Sequence, residues 1–154
     1  MTHVPKAELP EFVRNTLTAL RLHWNKNRAV IIALEGDLGS GKTTFVQQLA
    51  RQFEITDVVQ SPTYVLMKSY DLPSTRTRFG ELRRFKKLVH IDAYRLENAA
   101  QFAALKPEQF LNNPSVVVAI EWPERVRGAL PEPDLTVKFS SEGVGENERN
   151  IEVV

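Results

Sequence analysis

The chain has 154 residues, 42% hydrophobic and 25% charged, with a formal net charge of +1 and no cysteine. That balance belongs to a globular protein and is expected to form a single domain over residues 1–154. It excludes a disulfide framework and a thiolate metal site, and it provides no overall basic field for nucleic acid.

The longest apolar runs, Ala29–Leu34 and Val116–Ile120, fall far short of the ~20 residues a membrane helix needs. The N-terminal stretch has scattered charges and no apolar h-region, so no membrane contact or secretory signal is expected, and a cytoplasmic location fits. From Pro10 to Asn25, the spacing of Val13, Leu17, Leu20 and Trp24 predicts an amphipathic helix. Val30–Leu34 reads as a strand buried on both faces. A second helix is expected over Lys42–Phe53, with Phe45, Val46, Leu49, Ala50 and Phe53 on one side. Two further strands end in an acid, Leu88–Asp92 (LVHID) and Val116–Glu121 (VVVAIE). A helical stretch around Ala99–Phe110 lies between them, interrupted or restarted at Pro107. Leu135–Phe139 and Ile151–Val154 flank a polar turn and read as a closing hairpin. Strands alternating with helices predict an α/β fold with a central, mostly parallel sheet flanked by helices and an antiparallel C-terminal edge.

Between the first strand and the second helix lies GDLGSGKT, Gly36–Thr43, which fits G-x-x-x-x-G-K-[ST]. Glycines let the backbone turn its N–H groups toward phosphate oxygens, and the helix that follows aims its positive end at the same place. Gly39, Ser40, Gly41, Lys42, Thr43 and Thr44 are therefore the candidate phosphate contacts. Lys42 supplies a point charge, and the Thr43 hydroxyl is placed to ligate Mg²⁺. The alternative is a plain glycine-rich turn, but a chain of this length matches the pattern by accident only roughly once in two hundred. No N/T-K-x-D element for guanine follows the loop, which favours ATP.

A P-loop enzyme also needs a carboxylate at the end of a neighbouring strand, and Asp92 and Glu121 both qualify. Two plainer readings stand beside this: His90 and Asp92 as half of a transition-metal site, or one acid serving only as a salt bridge or helix cap. Ala93 and Trp122 follow the two acids, so neither has the adjacent second carboxylate with which many vigorous ATPases activate water. Slow intrinsic hydrolysis, or a geometry completed by a partner, is expected. Ser61 and Thr63 in QSPTYVLMKSY are candidate γ-phosphate sensors, or the start of an ordinary Ser-Pro turn into a strand.

Taken together, GDLGSGKTTF, SPTYVLMKSYD, HIDAYRL, IEWPER and LPEPDLTVKF resemble the TsaE (YjeE) family, in the family's order from about Val30 to Phe139. The resemblance implies a P-loop NTPase fold and an ATP- and Mg²⁺-dependent accessory subunit of bacterial tRNA threonylcarbamoyladenosine synthesis. Its partners would be a TsaD-like transferase and a TsaB-like subunit, with tRNA contacted indirectly. By motif position, Lys42 would hold phosphate, Thr43 and Glu121 would hold Mg²⁺, and Asp92 would orient metal or water. Trp122 would report nucleotide binding, and Leu9–Phe12, with Pro10 among them, would contact adenine. The Leu72–Lys87 stretch is longer than usual for the family and basic (Arg76, Arg78, Arg83, Arg84, Lys86 and Lys87). It reads as a tRNA or partner contact, or as a flexible solvated loop. Two rival functions remain: a small-molecule P-loop kinase with these arginines as a lid, and a non-hydrolysing nucleotide-gated binding module.

Overall fold

A computed structural model describes residues 1–21, 24–74 and 80–154. Among the described residues, seven strands form one sheet: β1 (Thr2–Pro5), β2 (Val30–Glu35), β3 (Met67–Asp71), β4 (Lys87–Asp92), β5 (Val116–Glu121), β6 (Leu135–Ser140) and β7 (Glu148–Val153). Their order across the sheet is β1-β7-β6-β2-β5-β4-β3. The middle four, β6-β2-β5-β4, run parallel; β7 on one side and β3 on the other run antiparallel to them, and β1 pairs antiparallel with β7. The expected antiparallel C-terminal edge is present. A second antiparallel pairing, β3 with β4, sets Asp71 opposite Lys87 at the other edge.

Because β2, β4 and β5 are buried on both faces, alternate residues enter two separate cores. Val30, Ile32 and Leu34 face one core, shared with Leu88, Val117 and Ala119 and covered by helices α1 (Leu9–Leu20) and α2 (Lys42–Gln52). Ile31 and Ala33 face the other, with Val89, Ile91, Val118 and Ile120, under Phe102, Phe110 and Leu111.

The helix α1 presents Leu9, Val13, Leu17 and Leu20 to the core, and Pro10 sits in its first turn, where a missing N–H costs nothing. It ends at Leu20, short of the expected Asn25. There the chain is diverted: the Asn25 backbone N–H donates to Asp134 Oδ1 at 2.8 Å. The expected helical stretch at 99–110 is two short helices, α3 (Ala99–Ala103) and α4 (Glu108–Leu111). They are divided by Lys106 at φ 52° ahead of Pro107, which caps the second.

The Leu72–Lys87 stretch differs from a flexible solvated loop in its second half. Leu82 and Phe85 are buried. The Arg84 guanidinium stacks 4.6 Å from both the Trp24 and Phe85 rings and donates to Asn25 O at 3.0 Å. Arg76 and Arg78 lie outside the described residues.

Candidate functional site

Parallel strands bring their C-terminal ends to a single edge, where ligands of open α/β sheets bind. Here β2 delivers the glycine loop, β4 delivers Asp92, and β5 delivers Glu121 to that edge. Asp92 and Glu121 are direct neighbours across the β4–β5 pair. His90, Asp92 and Glu121 all point toward α2, and His90 lies opposite Ala119, whose small side chain leaves room for the imidazole.

The loop has the backbone its sequence predicts. Gly36 has φ 143°, and a Cβ there would sit 2.6 Å from Phe139 O. Gly41, the residue before α2, is left-handed at φ 105°. Neither position accepts an ordinary side chain without strain. Lys42 is buried at 4% exposure. Its ammonium donates to Gly36 O at 2.5 Å and Asp37 O at 2.8 Å, and lies 4.1 Å from the Trp122 ring centre. Burial pushes the Lys42 ammonium below the ordinary lysine pKa, and the opposing pull of Glu121, Asp92, Glu124 and Asp37 only partly offsets this.

The two acids have different partners. Glu121 Oε1 accepts from the Thr43 hydroxyl at 2.8 Å and lies 2.8 Å from His90 Nε2, with His90 fully buried. Asp92 Oδ2 accepts from Thr63 at 2.6 Å and from Ser61 at 3.2 Å, while its Oδ1 accepts from the Tyr94 N–H at 3.0 Å. Asp92 thus caps the turn after β4 through one oxygen and meets the two hydroxyls through the other. Among the described residues no group of three potential metal-ligating His, Cys, Asp or Glu side chains occurs, and His90 is a partner of Glu121 instead. The Thr43 hydroxyl beside the Glu121 carboxylate is a hard-oxygen pair of the kind Mg²⁺ takes.

Trp122, next to Glu121, holds left-handed angles of φ 59° and ψ 49°. These are strained for an aromatic residue, and more so for one that precedes a proline. Its N–H donates to Leu34 O at 3.2 Å, and its ring lies 5.1 Å from Tyr94. Strain of this kind collects at functional sites. Arg95 stacks on the exposed Tyr64 at 4.6 Å, so the HIDAYRL and SPTY segments meet at the rim.

Two lobes of the cleft meet at Gly41. One, of about 440 Å³, is lined by Lys42, Thr43, Ser61, Thr63, Asp92, Glu121 and Trp122. The other, of about 490 Å³, is lined by Val4, Lys6, Leu9, Thr44, Phe139, Arg149 and Ile151. Leu9 is among these residues, but Pro10 is not; the Pro10 carbonyl accepts from Gln52 Nε2 at 3.2 Å. Sequence reasoning missed Val4, Lys6 and Arg149. The one available signal was the apolar alternation of LTVKF and IEVV, which places Phe139 and Ile151 in a hairpin.

A family model described as "Threonylcarbamoyl adenosine biosynthesis protein TsaE" matches residues 9–151. Among similar proteins, the tRNA threonylcarbamoyladenosine biosynthesis protein TsaE of Haemophilus influenzae is 32% identical over 135 residues, which is 88% of this chain and 75% of that protein. The Synechocystis protein of the same name is 40% identical over 99 residues, 62% of this chain and 55% of its own length. The Bacillus subtilis one is 32% identical over 124 residues, covering 79% and 66%. The crystal structure of Bacillus subtilis YdiB matches 97% of this chain and 80% of its own with a TM-score of 0.64 at 24% identity, a likeness of fold.

Proposed function

The chain belongs to the TsaE family of tRNA threonylcarbamoyladenosine biosynthesis, and on that premise we propose that it is the Mg²⁺-dependent, ATP-binding and ATP-hydrolysing subunit of that cytoplasmic modification system. One observation carries the reading. A glycine loop, a Thr43–Glu121 pair and a Ser61–Thr63–Asp92 cluster all line the same lobe of one cleft.

In this reading the loop N–H groups and Lys42 bind the phosphates, with Lys42 exchanging its carbonyl partners for phosphate oxygens. Thr43 and Glu121 hold Mg²⁺, which when bound neutralises charge on the β- and γ-phosphates. His90 keeps the Glu121 carboxylate in place through its Nε2 contact. Asp92 orients the attacking water or the metal, and it is tied by hydrogen bonds to the two hydroxyls that sense the γ-phosphate. The nucleoside end lies in the lobe beside Leu9 and Thr44.

Since no second carboxylate follows either acid, the chain alone turns over slowly. A TsaD-like transferase and a TsaB-like subunit complete the cycle, and tRNA is contacted through them. Of the arginines a kinase lid would use, Arg84 is placed away from the cleft. Asp71 and Lys87 close the β3–β4 pair at the end of the sheet away from Asp92. Arg84, packed at that end on Trp24, does not overlie the cleft as a lid must. Product analysis tests the reading: ADP and inorganic phosphate are expected from ATP, and a phosphorylated small molecule from a metabolite screen would overturn it.

A further inference from the structure

Glycine loops that bind phosphate face a physical problem: the residues that permit the turn also leave it poorly held. At Gly39 no atom lies within 4 Å of where a Cβ would be, so side-chain packing does not steady the tip. Two cations hold the loop by its carbonyls instead. From within the mouth, Lys42 takes Gly36 O and Asp37 O. From the other lobe, Arg149 of β7 donates to Ser40 O through Nε at 3.1 Å and to Gly39 O through Nη2 at 3.2 Å. The same guanidinium donates through Nη1 to Glu146 O at 2.8 Å and to Glu148 O, so it fastens the loop to the β6–β7 turn.

The two cations differ in what nucleotide binding asks of them. Lys42 leaves its carbonyls to reach phosphate, whereas Arg149 already has its donors on the loop and its stem against Gly41. In a planar trans peptide the C=O and the following N–H point in opposite directions. Holding Ser40 O toward Arg149 therefore turns the Gly41 N–H to the other side of the loop.

We propose that Arg149 is a positioning residue that braces the phosphate loop from the side of the nucleoside lobe, and that it keeps the loop amides set for nucleotide phosphate after Lys42 has moved. The inference rests on the reading of this cleft as a nucleotide site and extends it to a residue outside the loop motif. Arginine suits the task because its planar fork reaches several carbonyls at once, which a lysine ammonium does not.

The test compares wild type, Arg149→Met, Arg149→Lys and Lys42→Ala in the full chain, by ADP titration and by amide hydrogen exchange without nucleotide. Losing charge-assisted bonds to the loop is expected to weaken ADP affinity about tenfold in Arg149→Met, with Arg149→Lys in between. For ATP hydrolysis the loss falls on KM more than on kcat. Exchange at the amides of residues 39–42 should speed up in Arg149→Met while amides of the β2 and β5 core stay protected. If Arg149→Met binds ADP within about twofold of wild type, or leaves loop exchange unchanged, the brace is wrong. Wild type that binds no ADP would overturn the nucleotide reading itself, and the exchange comparison would still decide whether Arg149 orders the loop. Should Arg149→Met unfold more readily, Arg149→Lys carries the same two readouts.

Discussion

Glu121→Ala separates the two acids. The substitution removes the oxygen that serves Thr43 and His90, each at 2.8 Å. The Thr43 hydroxyl can turn toward the cleft it lines, but His90 is fully buried, its Nδ1 already lacks a partner, and its Nε2 then loses its partner as well. A buried group left unsatisfied costs about 1–3 kcal/mol. For a domain of this size, that lowers the unfolding midpoint by about 2–12 °C. Glycine loop, Lys42 and Arg149 are untouched, so nucleotide binding without Mg²⁺ is expected to persist. Hydrolysis should fall far more, by about 100-fold, as when one preorganised electrostatic contact to a transition state is lost. Phosphate release under saturating ATP measures hydrolysis. Trp122 fluorescence measures binding, because that indole faces Lys42 while the second tryptophan, Trp24, packs on Phe85 and Arg84. If Glu121→Ala hydrolyses ATP as wild type does and Asp92→Ala does not, the roles of the two acids are exchanged and the reasoning from the Thr43 bond fails.

Other outcomes follow from the loop. Lys42→Ala should weaken ATP binding by at least about tenfold, since a charged group on phosphate is lost; unchanged affinity would remove the cradle assignment. Burial holds the Lys42 pKa below its ordinary 10.5. Phosphate favours the charged form, so ATP affinity should decline as pH rises through that lowered value, measured by titration across alkaline buffers. The same depression means the unfolded chain holds more protons in the window between the lowered value and 10.5. Stability should therefore gain from this group as pH rises there, an effect absent in Lys42→Met unfolding curves. Gly36→Ala would place a Cβ 2.6 Å from Phe139 O at φ +143°, so a markedly lower melting midpoint is expected in a thermal scan.

The glycine loop and the two strand-end acids were legible in the sequence because each is a local pattern. Gly36–Thr43 is contiguous, and apolar runs ending in Asp92 and Glu121 announce strand ends at a common edge. What each acid does was not legible. Asp92 and Glu121 have equivalent sequence settings, and only the β4–β5 register together with the Thr43 bond assigns them different neighbours. Spacing likewise left Ser61 and Thr63 between a sensor and a turn; their bonds to Asp92 place them at the cleft. The lobe lined by Val4, Leu9 and Arg149 was hidden for another reason. β1 is four residues long with one buried side chain, and it exists because it pairs with β7 near the other end of the chain. A pairing across nearly the whole sequence leaves no periodic signal, so Val4, Lys6 and Arg149 went unseen.

In the proposed function, this cleft holds ATP for a partner-driven cycle. The most direct measurement is steady-state ATP hydrolysis by the purified chain, alone and then with the TsaD-like and TsaB-like partners and tRNA. Slow release of ADP and phosphate from the chain alone, rising when the partners are added and lost in Glu121→Ala, is the predicted result. ATP binding with no turnover under any of these conditions, or fast turnover that the partners leave unchanged, would contradict it.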